Sequence, residues 1–464
     1  MALEFVKSNK GGEFLLLDGF TFRQEKIINE KRIWKCTEYR TAKCKSRCHS
    51  KYGILTKQPT EHNHVPDRAK VESKKIMNAV KEKASSTQEA THQIVASASV
   101  SVGSNVAVAA QLPSVPNIKQ TIRRVRHVHQ TPLPSPPNLD ELTLPIEYTK
   151  TLKGENFLIF DSGTGSQRVL MFSTAGNLDL LAQCSSWYAD GTFKTSPPLF
   201  QQIYTIHVRK YNTIIPVVYI LMNSKSTSSY VSILTELNNI RPGLNPETIM
   251  TDYEHAALLA FRQIYPNAQQ QGCLFHLSQC IWRRLQQVDG LQQRYTDDPE
   301  FALQIRLLAA LAFVPPDDVV SAFEELMDSQ FFQDNASDLL NLTNYFEDNW
   351  IGRPARRGGR SNPTYQVEIW NCYTETLHDM PKTNNAVEGW HRGFHQLLGA
   401  YHPTIWKFID GLKKEQSLNE LKLEQFVAGH QPPRGKKKYQ KIAKRIKSII
   451  EDYGHRPVLE YMRG

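Results

Sequence analysis

No window of about 18 consecutive apolar residues occurs in the chain, which argues against a membrane-spanning helix. The first residues, Met-Ala-Leu-Glu-Phe, lack the charged and apolar regions of a secretory leader, so an intracellular protein is expected. Cysteine is scarce: seven residues, an odd number widely scattered, suit thiols and metal ligands rather than a disulfide framework. No obvious nucleophilic serine or tyrosine motif occurs. What the chain does have is length and positive charge. Its 464 residues allow two or three domains. The net charge of +10 is unevenly spread. Residues 1–150 carry 24 Lys+Arg against 14 Asp+Glu and residues 413–464 carry 13 against 6, leaving the middle mildly acidic. Basic ends suit phosphate binding, although a solvated lysine-rich surface would look the same.

The N-terminal 60 or so residues read as a small β module. Phe14, Leu16, Phe20 and Phe22 alternate around Asp18-Gly19, a hairpin signal, and 32–36 supplies a third strand. Cys36 and Cys44 are followed after 17 residues by His62-Asn63-His64. Two thiolates and two imidazoles fill the four positions of a structural Zn²⁺ site, and a module this small gains from such a staple. Cys48 is a possible alternate ligand or a small buried residue. Phe14, Leu16, Phe22, Trp34-Lys35-Cys36, Cys44 and His62-Asn63-His64 resemble a FLYWCH zinc finger over about residues 5–66. A usual tyrosine of the first strand pair is replaced. The resemblance implies zinc and a partner that is either DNA or protein.

Residues 68–139 read as a basic helical linker ending in the proline-rich run 131–138. Arg123, Arg124 and Arg126 crowd the end of its last helix, which a helix-turn-helix-like arrangement would present to DNA and a linker helix would leave in solvent.

Residues 140–412 read as an α/β domain with a mixed sheet. The stretch Trp187-Tyr188-Ala189-Asp190-Gly191 is a buried strand ending in a carboxylate. A hairpin (200–209 and 213–222), a helix (229–240) and a second strand ending at Asp252 follow. Carboxylates ending neighbouring strands in this order are how a ribonuclease-H-like fold presents metal ligands. The segment 254–264 reads as a helix contacting through Ala256, Leu259 and Phe261, and 272–276 as a buried strand. Helices alone occupy the insertion 291–380, with a mobile loop at 352–360. Asn385 then caps a helix carrying Glu388, Val387, Trp390 and Phe394.

Hard oxygen donors on adjacent strand ends and a nearby helix could hold two Mg²⁺ or Mn²⁺ ions for phosphodiester transfer. Taken singly, Asp190, Asp252 and Glu388 could equally be capping or surface residues. The motifs Asp190-Gly-Thr-Phe-Lys194, Phe200-x3-Tyr204-Thr-Ile-His207, Val217-x-Tyr219-x-Leu221, Thr251-Asp252-Tyr-Glu-His-Ala256, Cys273-x2-His276, Leu311-Ala-Phe-Val-Pro-Pro316 and Thr383-Asn-Asn-x2-Glu388 resemble a Mutator-like element (MULE) transposase, from about 112 to 423. The resemblance implies a DDE triad of Asp190, Asp252 and Glu388, with Glu254, Glu368 and Glu375 as alternatives to the last. It also implies metal-dependent cutting and strand transfer at element ends, a DNA partner and an oligomeric assembly. Cys273 and His276 are expected to be structural or to lie near DNA, and His391 and Arg392 to lie near substrate. The basic tail 413–464, with Lys436, Lys437 and Lys438, suits phosphate contacts or nuclear import. The expected protein is thus a nuclear DNA-binding transposase or its direct derivative. The competing readings are a domesticated regulator without catalysis, and a zinc-dependent protein-docking module on a degenerate nuclease-like core.

Overall fold

The computed structural model describes residues 3–464 except 8–11, 88, 90, 104, 130–132, 357 and 432–436, and omits the side chains of 127–129. The chain divides into two units, 1–134 and 135–464.

In the first unit a six-stranded antiparallel meander runs β1 (Glu4–Lys7), β2 (Glu13–Leu17), β3 (Phe20–Ile28), β4 (Lys31–Cys36), β5 (Arg47–Lys51) and β6 (Ile54–Lys57). Alternation puts Leu15, Phe22, Trp34, Cys36 and Cys48 on one buried face. The Trp34 indole N–H is satisfied by Ser50 Oγ at 2.8 Å. Four helices follow: α1 (Arg68–Ser86), α2 (Thr91–Val102), α3 (Val106–Gln111) and α4 (Val115–His129). They are more than the expected linker. Ile76, Val80, Ala84, Ile94, Ala98, Val108, Ile118 and Ile122 pack into a core of their own. Val71 of α1 also packs on Val6 and Leu16 of the sheet, and Lys70 pairs with Glu38 at 2.6 Å.

In the second unit a seven-stranded sheet has the order β13-β12-β9-β10-β11-β8-β7. Its elements are β7 (Leu158–Asp161), β8 (Leu170–Phe172), α5 (Ala175–Gln183), β9 (Ser186–Thr192), β10 (Gln202–Lys210), β11 (Thr213–Met222), α6 (Thr227–Ile240), β12 (Thr248–Thr251), α7 (His255–Ile264) and β13 (Gln269–Gly272). β9, β10 and β11 are antiparallel, whereas β12 and β13 run parallel to β9. β10 and β11 are buried on both sides, which explains their unbroken apolar runs. Tyr204, Ile206, Val218 and Ile220 face α5, α6 and α7. Ile203, Tyr219 and Leu221 face the helices α16 (Asn385–Leu398) and α17 (Ile405–Val427) described below.

After β13 comes α8 (Leu274–Leu285), then α9 (Leu291–Asp297), α10 (Pro299–Ala310), α11 (Val319–Asp328), α12 (Gln330–Asp334), α13 (Ala336–Phe346), α14 (Val367–Trp370) and α15 (Tyr373–Leu377). These share a core with α18 (Lys437–Glu451) and α19 (Val458–Arg463), centred on Phe301, Leu308, Phe346, Trp350 and Trp370.

Several local expectations are corrected. The strand expected at 272–276 ends at Gly272, and Cys273 opens α8, whose apolar positions Leu277, Ile281 and Leu285 follow helical spacing. In α7 the buried side chains are Ala257, Leu258, Ala260 and Phe261; Ala256 packs against the same core half-buried, whereas Leu259 is exposed rather than a contact. The cap position of α16 is Asn384, not Asn385, and its amide reaches the Ala189 carbonyl at 3.4 Å instead of capping. The 352–360 loop is pinned: Arg353 and Arg360 each pair with Glu347, at 3.0 and 2.8 Å. The tail does not begin at 413, because α17 runs unbroken through that point. Gly411 lies inside α17, where a Cβ would sit 2.6 Å from Leu398 Cδ2.

Candidate active site and metal centre

The finger's donors come from the end of β4 and the loops beyond it. Cys36 Sγ lies 3.2 Å from His64 Nε2, Cys44 Sγ lies 3.4 Å from His62 Nδ1, and the two imidazole nitrogens are 3.4 Å apart. All four ligand atoms fall within 4.8 Å of one another. A tetrahedral Zn²⁺ with ordinary Zn–S and Zn–N bonds has edges of about 3.3–3.8 Å, so the set fits zinc. His64 Nδ1 lies 3.1 Å from the Val65 carbonyl, a bond that leaves Nε2 free to ligate. Phe20 stacks on His62 with ring centroids 3.7 Å apart and holds that ring in place. Cys48 stands outside the group, fully buried on β5 opposite Trp34.

The carboxylates are assembled by sheet register. In the parallel pair, Met250 of β12 lies opposite Tyr188 of β9. Two residues further along each strand stand Asp252 and Asp190, so both emerge at the same carboxyl end of the sheet. The third group arrives from a distant part of the chain. Val387 of α16 packs into a small cluster with Tyr188 and Met250, and Cys273 Sγ accepts the Asn384 N–H at 3.1 Å. Those contacts seat the first turn of α16, and with it Glu388, over the two strand ends.

Asp190 is buried, and its Oδ1 accepts the Gly191 N–H at 2.9 Å. Loss of water, then the charges of Asp252 and Glu388, drive its carboxyl well above the usual range. Asp252 is pushed up to about 6, chiefly by desolvation and then by Glu254. Glu388 Oε1 lies 3.4 Å from His276 Nε2. His391, one helical turn beyond Glu388, places Nε2 3.6 Å from Asp190 Oδ2. Lys225 is the cation that offsets the charge on both aspartates. Apart from the finger set, no three His, Cys, Asp or Glu ligand atoms among the described residues gather within 4.8 Å of one another.

Among the alternatives to Glu388, Glu254 is already engaged, taking a bond from Tyr230 Oη at 2.6 Å and an ion pair from Lys225 at 2.7 Å. Tyr230 in turn accepts from Gln202 Nε2 at 2.7 Å, so a buried chain of polar groups braces the Asp252 side of the cleft. Glu375 accepts from Gln271 at 2.9 Å, and Glu368 is exposed. Gly191 is needed where it stands, since a Cβ there would lie 2.6 Å from Gln202 Oε1. Tyr230, Gln202 and Lys225 carry no spacing signal that singles them out in the sequence, and only the fold brings them beside Glu254.

Of the basic residues, Arg123 and Arg124 are exposed on α4, and Lys437 and Lys438 are exposed at the start of α18. Lys436 lies outside the described residues. Arg126 is spent internally, donating to the Thr87 and Glu89 carbonyls that link α1 to α2. Arg392 is exposed, and Trp390 is half-buried with its N–H on Glu415 at 2.9 Å.

Two known families match separate parts of the chain. The FLYWCH zinc finger domain matches residues 5–64 and the MULE transposase domain matches residues 186–280. The chain carries both a FLYWCH finger and a MULE transposase domain. Asp190, Asp252, Cys273 and His276 lie inside the matched MULE segment, and Glu388 lies beyond it. FLYWCH-type zinc finger-containing protein 1 of Homo sapiens is 31% identical over 74 residues, 16% of this chain and 10% of that protein. Its Mus musculus counterpart is 32% identical over 73 residues, 16% and 11% of the two chains. The chain thus spans about a tenth of the length of these curated relatives. The two matches mark the chain as transposase-related. Among the described residues no helix is long and apolar enough to cross a membrane.

Proposed function

We propose that the chain is a MULE-type DNA transposase, or its direct derivative, acting in the nucleus on element ends. The observation that carries this reading is geometric: the register of β12 on β9 sets Asp190 and Asp252 at one end of the sheet, and Val387 packed on Tyr188 and Met250 seats the first turn of α16, with Glu388, over them. Three acidic groups from β9, β12 and α16 share one desolvated pocket, where like charges are costly without a cation. The strand order β11-β10-β9-β12-β13, three antiparallel and two parallel, supports a ribonuclease-H-like core.

In this reading Asp190, Asp252 and Glu388 hold Mg²⁺ or Mn²⁺. Such ions would activate the attacking oxygen and neutralise the leaving one. The protein's part is positioning. Sheet register sets the two aspartates, Cys273 and Asn384 seat the helix that brings Glu388, and Tyr230 with Lys225 restrains Glu254. Zinc shapes the finger, while Arg123, Arg124, Lys437 and Lys438 supply phosphate contacts. An oligomeric assembly and a protein partner for the finger complete the proposal.

A domesticated regulator is the second reading. Its support is that the carboxylate oxygens gather less tightly than the finger's donors, and that the MULE match ends before Glu388. The deciding experiment is strand cleavage on terminal inverted-repeat DNA with Mg²⁺ or Mn²⁺. Wild type should cut and Asp190→Asn should not; equal cutting by both would overturn the catalytic reading.

A further inference from the structure

Of the twenty phenylalanines, all among the described residues, only Phe193 and Phe275 are exposed, at 47% and 41%. A single exposed phenyl ring is ordinary, because every folded surface keeps some apolar area. Two that flank one cleft are a pattern. Strands β9, β12 and β13 run parallel with β12 between the others, and Gly272 of β13 lies opposite Thr251 of β12. Their carboxyl ends are therefore level. Phe193 stands three residues after Asp190, just past the end of β9, and Phe275 lies in the first turn of α8, just past β13. Along that edge of the sheet the two residues come from either side of Asp252. Strand carboxyl ends are where open α/β sheets take their ligands.

Both rings are carried on fixed backbone. Beyond Phe193 the chain turns back at once, its carbonyl accepting the Ser196 N–H at 3.1 Å. Thr195 and Ser196 are buried there, and Ser196 Oγ donates to the Phe200 carbonyl at 2.9 Å. Lys225 Nζ sits 4.3 Å from the centre of the Phe193 ring and pairs with Glu254 at 2.7 Å, so a tethered cation backs that ring. Lys194 is exposed beside it. On the other side, the Leu274 N–H bonds the Lys382 carbonyl at 3.0 Å and Leu277 is buried in the helical core, which fixes the turn bearing Phe275. The ring of His276, whose Nε2 faces Glu388 at 3.4 Å, meets Phe275 edge to face at 5.7 Å.

We infer that Phe193 and Phe275 form a base-stacking clamp that holds an unpaired DNA strand along the carboxylate cleft, with Lys194 contacting its phosphates. An aromatic ring stacks only on a base whose face is open, so the occupant is a single strand rather than intact duplex. Exposed rings interleaved with lysine match what such a strand presents, open π-faces joined by negative charge. The inference rests on the DNA reading proposed above.

The test uses the full-length protein with zinc in the finger, no other divalent metal, and a short single-stranded oligonucleotide carrying 2-aminopurine, whose fluorescence is quenched by stacking. Wild type should quench it. Phe193→Leu and Phe275→Leu should each lose quenching and about 5-fold or more in affinity for the strand. Leucine keeps an apolar side chain, so a role in packing alone would survive the change. Phe193→Trp and Phe275→Trp should retain both signals. The salt slope should be unchanged in the leucine variants and fall by about 1 in Lys194→Ala. Thermal melts check folding, and the corresponding alanine variants stand in for any leucine variant that fails to fold. Undiminished quenching in either folded leucine variant, or an equal loss of affinity for matched duplex, would overturn the inference. Strand cleavage by wild type and Asp190→Asn separates the two readings. Cutting lost in Asp190→Asn with quenching intact in the leucine variants keeps the carboxylate centre and removes the clamp. Equal cutting by both, with quenching lost in the leucine variants, keeps the clamp and removes the carboxylate centre.

Discussion

The finger and the carboxylate cleft are both places where charged or ionisable donors crowd together, yet they are built in opposite ways. The finger draws its four donors from Cys36 to His64, a short stretch of chain in a module with a small core. The cleft draws Asp190, Asp252 and Glu388 from three elements spread over two hundred residues, on a sheet buried on both faces. A donor set on a thin scaffold depends on its ion for shape. A set bolted to a large core keeps its shape and stores repulsion instead.

The largest break in that comparison should come from removing zinc. Chelation, or Cys36→Ser, is expected to unfold the finger, since structural zinc in small modules contributes roughly 10 kcal/mol or more. Circular dichroism and limited proteolysis should report the loss within 1–134 and leave 135–464 protected. Cys48→Ser should keep zinc and cost only a packing defect of about 1–2 kcal/mol.

Asp190→Asn should behave in the reverse sense. Cleavage should fall by about 10³-fold or more, while the metal-free protein melts no lower than wild type because a repelling charge is gone. A lower melting point with unchanged cleavage would erase the distinction drawn between the two sites.

Acidity sharpens the contrast. Asp252 has a folded value of about 6 against an ordinary 3.8, so the native state binds protons more tightly than the unfolded one. Without metal, the Asp252 contribution to stability should therefore fall as pH rises from about 4 to 6, by up to about 3 kcal/mol, and Asp190, raised as well, should add to the fall. Asp252→Asn should remove its share of that slope, and a divalent ion should restore stability at pH 7. Thermal melts across the range provide the check.

Smaller effects should follow from the braces and the basic faces. Tyr230→Phe removes one bond to Glu254 and should cost about 1 kcal/mol, with cleavage lowered several-fold. Arg124→Ala should weaken DNA binding uniformly across sequences and reduce the salt slope by about 1. Arg126→Ala, by contrast, should destabilise the helices of 68–129, because that guanidinium ties the α1–α2 connection.

Much of this was legible from the chain in order. The Cys36, Cys44, His62 and His64 donors could be read because metal chemistry demands those residue types close together. The hairpin β10–β11 was legible because strands buried on both faces must be apolar throughout. Legibility failed where one signal served two structures. The Cys273-Leu-Phe run reads as a strand, yet its continuation to Leu277, Ile281 and Leu285 belongs to a helix, so His276 ends up beside Glu388. Arg126 reads as a DNA contact because sequence shows charge and not its partners. The Gly352–Arg360 loop reads as mobile for the same reason, since Glu347 and Asp348 act on it only once the helices are packed.

Sequence alone determined the chemistry on offer: which thiols, imidazoles and carboxylates exist, and which lie near enough along the chain to share an ion. Tertiary structure decided who meets whom. The register of β12 on β9 levels two aspartates 62 residues apart, and packing of Val387 on Tyr188 and Met250 delivers Glu388 and His391 to them. Such contacts depend on long-range burial, whose partners no local periodicity records.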